Sequence, residues 1–158
     1  MDFDLIIRAA ALVAVLGTGA VYGTDVFCAI VLRPALAAVD DSALVAVMGS
    51  AHRYGDRRMP VPGVLGIVAT ATSTVLAAVA GHWAQAITAA AALVLLVVWL
   101  ALYTRVSAPI NRQLTAAAGA GRTLPNWRAL QAKWDSIIGS RAGLQGMAVA
   151  ALCGVLMI

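Results

Sequence analysis

Asp25 is the strongest candidate for a chemical role in this sequence, because it is a carboxylate within a long apolar stretch. An ionisable group inside a membrane span is costly, and it usually faces a bundle interior or a wet cavity. Thr18 and Tyr22 precede it at spacings of four and three, so the three side chains share one helical face. Two roles suit Asp25 equally: an ion pair or hydrogen bond between helices, and a proton acceptor or ligand contact.

The two histidines decide whether a metal or haem site is predicted, since histidine is the commonest metal ligand. His52 and His82 lie thirty positions apart at opposite ends of an apolar stretch, on the order of 40 Å if the chain between them is helical. They cannot share one ion within a chain, and no Glu-x-x-His pair of the di-iron type occurs. We predict no metal and no cofactor, although a haem on one histidine stays open. His52 is also the natural base near neutral pH. The alternative is that His52 is a solvated interfacial residue without a catalytic role.

Aromatic and basic side chains recur at helical spacing near the end of the sequence. Trp127, Trp134 and Arg141 follow one another at intervals of seven, which places them on one helical face. The rings could wall a site for a planar ligand, but anchoring at a membrane interface is the commoner role of tryptophan. Arg141 could pair with Asp25, hold an anionic group, or extend to lipid headgroups.

A second aromatic pair, Trp99 and Tyr103, shares a face of an apolar stretch. The pair could contact a ligand or form an aromatic belt at the membrane boundary.

The composition shows what surrounds these residues. Of 158 residues, 62% are hydrophobic and 11% charged, against roughly 45 to 50% and about 25% in soluble domains. The length suits one membrane domain of residues 1–158 without a separate soluble one. Cys28 and Cys153 lie in apolar stretches without metal-site or disulfide spacing, so we expect small core residues. The acidic start MDFDLIIR differs from a signal peptide, so the first apolar stretch should persist.

A membrane core about 30 Å thick needs about 20 largely apolar residues per helix. Four stretches qualify, at residues 5–32, 61–80, 84–106 and 137–158. Prolines at their edges are expected to begin or end helices, namely Pro34, Pro60, Pro62 and Pro109. The sequence therefore predicts an all-α integral membrane four-helix bundle.

Charge placement orients this bundle. Ten of the eleven basic residues lie in the two longer connections, between Arg33 and Pro60 and between Arg105 and Arg141, while Arg8 lies opposite. The positive-inside rule makes that side cytoplasmic and both termini external, as expected for a multi-pass protein of the cytoplasmic (inner) membrane. The net charge of +4 is thus explained by topology, and we predict no nucleic-acid partner. A weaker attraction to anionic lipid headgroups is compatible with it.

Both longer connections contain helical signals. DDSALVAVMGSAHRYGDRR has N-cap residues and apolar positions that predict a short helix along the cytoplasmic interface. AAAGAGR predicts a turn, after which Pro125 suits the start of one long helix that continues into the fourth span. Residues 81–83 leave room only for a tight hairpin between the second and third spans. Gly19 and Gly23 are expected to let a neighbouring helix approach closely.

The sequence resembles the anthrone oxygenase-like family, small membrane proteins with four predicted spans and mostly of unknown function. The likeness covers essentially the whole chain and is carried by AHRYGDRRMPVPGVLG, APINRQL and NWRALQAKWDSIIGSR. Asn111 matches the family's asparagine after the third span, and Trp127, Trp134 and Arg141 match its W…W…R pattern. Many relatives carry a histidine shortly before that arginine, where this chain has Ile138 and Gly139, so an activity that depends on that histidine is not implied.

The resemblance implies oxidation of lipophilic anthrone-like ketones by dioxygen without a cofactor. A base and an oxyanion stabiliser would suffice. His52 or Asp25 would be the base, Asn111 or Arg141 the stabiliser, and Trp127 or Trp134 the stacking wall. The candidate site therefore has catalytic residues Asp25, His52, Asn111 and Arg141, and substrate-binding residues Tyr22, Tyr103, Trp127 and Trp134.

Two other classes compete with this oxidoreductase hypothesis. One is a non-enzymatic accessory subunit of a larger membrane complex or a homo-oligomeric scaffold, because alanine- and glycine-rich faces suit close helix packing. The other is a membrane protein that binds or carries a small molecule, haem or quinone. An enzyme predicts a cavity near Asp25, Asn111 and Trp134, whereas a scaffold predicts that these side chains satisfy one another.

Overall fold

The structure is a computed structural model that describes residues 3–122 and 124–158. All regular structure in these ranges is helical, which confirms the all-α prediction. The helices are α1 (Phe3–Phe27), α2 (Arg33–Ala37), α3 (Asp41–Arg58), α4 (Pro60–Val79), α5 (Trp83–Leu102), α6 (Ala108–Gly119) and α7 (Trp127–Met157), with π-helical turns at Cys28–Leu32 and Tyr103–Ser107.

Four long helical units form the bundle, and each is long and apolar enough to cross a membrane: Phe3–Ala37, Pro60–Val79, Trp83–Gly119 and Trp127–Met157. The unit containing α1 packs on α4, α4 on α5, α5 on α7, and α7 back on α1. Neighbours in sequence are therefore neighbours in the ring, which is the up-down-up-down arrangement of antiparallel bundles. We call the end with the Gly81 turn the hairpin end, and the end with α2, α3 and α6 the basic end.

The spans meet through small side chains. Alanines fill the interior, with Leu96 and Leu152 between them, so the helix axes lie close together. At the contact of α1 with α4, a Cβ on Gly17 would lie 2.7 Å from the Pro62 carbonyl oxygen. The expected close approach at Gly19 and Gly23 is wrong, because nothing lies within 4 Å of a Cβ at either position. Both glycines point away from the α1 face that touches α4 at Gly17.

Pro34 and Pro109 lie at the start of α2 and α6, as expected of a residue that begins a helix, but neither marks the end of a helical unit. Pro34 and Pro109 each follow a π-helical turn, across which the chain continues as helix. Proline lacks an N–H and its ring collides with the carbonyl four residues back in a regular α-helix. A turn that bonds over five residues shifts the neighbouring carbonyls, so both helices pass their proline. The third helical unit consequently extends to Gly119, beyond the predicted boundary at Val106, and only the end of AAAGAGR forms the turn.

At the basic end, α3 packs across α6 and the first turns of α7. Asp40 caps α3 by accepting hydrogen bonds from the backbone N–H groups of Ser42 and Ala43, both at 2.9 Å. The buried apolar face of α3 includes Leu44 and Met48, so the predicted helix is confirmed and its apolar face is covered by protein. Trp127 begins α7, two residues after Pro125.

The hairpin end is closed by a short turn and by polar contacts. Gly81 has φ of +77°, a conformation that favours glycine. Arg8 donates to Asp4 at 2.8 Å and also to the Leu156 carbonyl. The predicted tight hairpin is thus confirmed, and the first turns of α1 are held to the last turn of α7 at this end.

Candidate functional site

Asp25 is the centre of a buried polar cluster that joins three helices. It is 3% exposed and accepts a hydrogen bond from Arg141 Nη2 of α7 at 2.7 Å. Its second oxygen accepts from Gln145 Nε2 at 2.8 Å and from Trp99 Nε1 at 3.2 Å. The predicted pairing of Asp25 with Arg141 is therefore present, and three donors occupy the two carboxylate oxygens.

Arg141 is held on several sides. Its Nη1 donates to Ser107 Oγ at 2.8 Å, and its guanidinium lies 5.8, 5.4 and 5.8 Å from the ring centres of Trp99, Tyr103 and Trp134. These are cation–π distances. Tyr103 and Ser107 lie at the two ends of the second π-helical turn, which thus presents a ring and a hydroxyl to one guanidinium. The Arg141 Nε atom has no hydrogen-bond partner among the described residues.

His52 projects from α3 against Trp134, with ring centres 5.5 Å apart and planes at 57°. It is 7% exposed, and burial lowers its pKa to about 4, with Arg141 acting in the same direction and Asp56 opposing it. The imidazole is therefore neutral at physiological pH. Its Nε2, like Nε1 of Trp134, finds no partner within the described part of the chain.

Asp56 lies one turn after His52 on α3 and connects α3 to the third helical unit. Its Oδ1 accepts from Tyr103 Oη and from Asn111 Nδ2, both at 2.9 Å. Because a carboxylate offers only acceptors, this contact fixes the Asn111 amide with its NH₂ towards Asp56. The Asn111 carbonyl oxygen is left as a buried atom unpaired within residues 3–122 and 124–158, so it can accept a hydrogen bond but not stabilise an oxyanion.

These clusters border one cavity of about 260 Å³ between the spans and α3. Asp25, His52, Trp99, Asn111 and Arg141 contribute polar atoms or rings, and most of the remaining wall is apolar. This volume corresponds to roughly nine molecules of liquid water and approaches the lower limit of common ligand pockets.

One side of the cavity is less enclosed than the rest. Val64 of α4 and Leu100 of α5 line it and are 59% and 38% exposed. Both residues lie within predicted spans, so the accessible side is apolar and at membrane depth.

The structure brings together six of the eight predicted site residues around the cavity: Asp25, His52, Tyr103, Asn111, Trp134 and Arg141. It places the other two elsewhere. The Tyr22 ring packs on Gly146 between α1 and α7, with ring atoms 3.1 to 3.4 Å from a Cβ built there. Trp127 is buried in the apolar cluster of the basic end, with the Arg128 guanidinium 4.6 Å from its ring centre.

Three polar partners were not among the residues predicted from the sequence: Asp56, Ser107 and Gln145. Each lies four residues after a residue that was recognised, namely His52, Tyr103 and Arg141. Side chains four apart on a helix are neighbours on one face. The available signal was therefore a polar residue one turn beyond each candidate.

The donor set does not suit a metal ion, since no group of three metal-ligating side chains occurs among the described residues. The wall instead provides a neutral imidazole, a buried guanidinium with a free Nε–H, an indole N–H and an amide oxygen. This combination can accept a proton, stabilise a developing oxyanion and pack a flat apolar molecule. No family model, curated protein or solved structure matches the chain.

Proposed function

We propose that this protein is a multi-pass membrane enzyme that oxidises a lipophilic aromatic ketone of the anthrone class with dioxygen. The observation that supports this most strongly is the single cavity whose lining residues carry four buried polar atoms without partners in the described chain: His52 Nε2, Asn111 Oδ1, Trp134 Nε1 and Arg141 Nε. Unpaired buried polar atoms are costly. A ligand carbonyl oxygen would accept hydrogen bonds from Trp134 Nε1 and Arg141 Nε, and a hydroxyl or water would donate to Asn111 Oδ1. The reaction class itself comes from the family resemblance.

His52 is the base in this proposal. An anthrone carries a CH₂ group opposite its carbonyl, and Nε2 of the neutral tautomer protonated on Nδ1 removes one of those protons. The resulting enolate passes one electron to dioxygen, and the two radicals combine in a carbon–oxygen bond. The imidazolium returns its proton to give a hydroperoxide. Loss of the second C–H proton and cleavage of the O–O bond then release water, so that CH₂ and O₂ become C=O and H₂O.

Arg141 is the oxyanion stabiliser, because its Nε–H is free while its other nitrogens are engaged. The Trp134 indole N–H is a second donor beside it. Asp25 acts as a positioning residue, since three donors occupy its oxygens. A preorganised donor at a developing oxyanion contributes on the order of 10²- to 10³-fold to the rate.

Trp99 and Tyr103 both line the cavity, and their near-parallel rings, with centres 5.9 Å apart and planes at 14°, form one aromatic wall. A planar substrate would lie along this wall, with Trp134 on another side. The exposed apolar rim at Val64 and Leu100 suits entry from the bilayer, where a lipophilic ketone concentrates. The basic end is cytoplasmic in this proposal, so the cavity lies near the inner leaflet of the cytoplasmic membrane.

The test uses purified protein in detergent with anthrone, and follows dioxygen uptake and anthraquinone absorbance. The proposal predicts one dioxygen consumed per quinone formed, faster than in protein-free micelles. His52→Gln should reduce the protein-dependent rate at least 100-fold. His82→Gln is the matched control, because His82 lies at the hairpin end, and its rate should equal that of the wild type. If His52→Gln and wild type oxidise anthrone at equal rates, His52 is not the base. If wild type is no faster than the protein-free reaction, the protein is not the proposed enzyme.

One observation favours the non-enzymatic alternative. Asp25, Arg141, Gln145 and Trp99 satisfy much of one another's hydrogen bonding, as expected if they only join helices within an accessory subunit or scaffold. Absence of oxidation together with tight co-purification of another membrane protein would support that function.

A further inference from the structure

A second concave surface lies at the basic end, and of its lining residues only Asp56 also lines the cavity of the candidate site. It is a groove of about 310 Å³ between α3 and α6, and we call it the arginine groove. Its lining consists of Arg53, Asp56, Arg57, Arg112, Thr115 and Ala116.

The charges in this groove are unbalanced. Arg53 and Arg57 are one turn apart on α3, an arrangement in which like charges repel, and Arg112 adds a third guanidinium from α6. None of the three forms an ion pair with the residues that the structure describes, in contrast to Arg8, Arg33, Arg128 and Arg141.

The one carboxylate in the arginine groove, that of Asp56, already accepts two hydrogen bonds from other residues. Oδ1 of Asp56 accepts hydrogen bonds from Tyr103 and Asn111 on the side of the cavity. Three cations therefore share at most one anionic group, and an external anion would relieve their repulsion. Guanidinium groups bind phosphate oxygens in paired hydrogen bonds, so phosphate is the matching chemistry.

The position of the groove indicates where the phosphate comes from. Arg57 lies three residues before Pro60, the first residue of α4, which is about 4.5 Å along a helix. The groove therefore lies beside the end of a span, at the depth of the lipid headgroups. Basic pockets at this depth suit anionic headgroups.

We propose that the arginine groove binds the headgroup phosphate of an anionic phospholipid. The site is independent of the oxidation proposed above, because its three arginines are not part of the cavity lining. Bound lipid would bridge α3 and α6, the two helices that cover the cavity at the basic end.

The experiment measures lipid retention on the purified full-length protein by native mass spectrometry. Detergent micelles are titrated with short-chain phosphatidylglycerol, phosphatidylcholine or inorganic phosphate. Wild type should retain one phosphatidylglycerol in strong preference to phosphatidylcholine. The variant R53Q/R57Q/R112Q should bind it about 100-fold more weakly, since each arginine near an anionic headgroup contributes about fivefold. The variant R58Q/R105Q/R122Q is the matched control, which removes equal charge from the same end outside the groove, and should differ less than twofold from wild type.

Equal weakening in both triple variants would show a diffuse charge effect and overturn the site. Competition by inorganic phosphate at concentrations equal to that of the lipid would overturn the assignment to a lipid headgroup. Thermal unfolding in lipid-free neutral detergent checks that the triple variants fold. If either does not, the single changes Arg112→Gln and Arg105→Gln replace them, with about fivefold weakening expected for the first alone.

Discussion

The contact between Asp25 and Arg141 shows how residue type and burial together determine a role. Both side chains are nearly inaccessible, at 3% and 5% exposure, so neither charge can be compensated by water. A buried ion pair has a large desolvation cost, and removing one partner leaves the other unpaired. Asp25 therefore holds Arg141 in place, and its substitution should affect stability before chemistry.

We predict that Asp25→Asn lowers the free energy of unfolding by about 3 to 5 kcal/mol, because the Arg141 charge stays buried without its counter-ion. Arg141→Gln should have a comparable effect. The double variant should be more stable than the sum of the two losses implies, since no isolated charge is left. Reversible unfolding in mixed micelles provides the measurement.

Asp4→Asn serves as the comparison, because the Asp4–Arg8 pair at the hairpin end is partly exposed. Its effect should be much smaller, because solvent screens this pair. If Asp25→Asn lowers the free energy of unfolding as little as Asp4→Asn does, the buried cluster around Asp25 does not hold the helices together.

His52 should make stability depend on pH. Its pKa is about 4 in the folded protein against 6.5 for the ordinary side chain, chiefly because of burial. Between these values the unfolded chain binds a proton that the folded chain does not, so stability is complete above pH 6.5 and declines as pH falls towards 4. The expected loss is up to about 3 kcal/mol.

The pH effect is measured as the difference between wild type and His52→Gln in melting temperature from pH 7.5 to 4. The difference should change with pH across this window, and His82→Gln should follow the wild type. A constant difference would mean that the imidazole titrates alike in folded and unfolded chains, contrary to its buried position.

Sequence patterns identified which residues matter at the site better than they identified the residues that these contact. The cost of a carboxylate in a span singled out Asp25, and the need for a counter-ion suggested Arg141. Their contact spans 116 positions, a separation over which local spacing carries no information. Tyr22 and Trp127 show the same limit, because aromatic character alone did not tell a cavity wall from a helix contact.

The elements around the site are shaped by two π-helical turns. The first contributes Cys28 and Leu32 to the cavity lining, and the second contributes Tyr103. Each allows a helix to continue past a proline, and π-helical turns are frequent at functional sites. The spans were predicted well because hydropathy determines them, whereas each proline was interpreted as the edge of a span. The extra length of the third unit was missed for that physical reason.

The contact of α1 with α4 depends on the absence of side chains at one point. We predict that Gly17→Ala lowers the free energy of unfolding by about 1 to 3 kcal/mol, as overpacking does, because its Cβ would lie 2.7 and 2.8 Å from backbone atoms of α4. Thermal unfolding in detergent measures the loss.

Gly23→Ala on the same helix is the control, because nothing lies within 4 Å of its Cβ. It should be neutral or stabilising by about 0.5 to 1 kcal/mol, the usual gain of alanine over glycine in a helix. Equal loss in both variants would show that α1 does not meet α4 at Gly17.

The whole molecule is a four-helix ring with different ends. Antiparallel neighbours are joined tightly at Gly81, while the basic end carries the extra layer of α3 and α6. The cavity lies between the spans and this layer, which brings Asp25 and His52 to one space from separate helices. Sequence patterns predicted the ring and the end that gathers the polar residues. They predicted a cavity near Asp25, Asn111 and Trp134 only under the enzyme hypothesis, because the volume left there depends on how α3 packs over the spans.

The central claim is that this cavity binds a planar aromatic ketone, and a structure with anthraquinone, the proposed product, tests it most directly. The protein would be determined in lipid nanodiscs with and without the quinone. We predict quinone density along the Trp99 and Tyr103 wall, with one carbonyl oxygen within hydrogen-bond distance of Arg141 Nε or Trp134 Nε1. A cavity closed by Trp134, or filled by an acyl chain in the presence of saturating quinone, would contradict the claim.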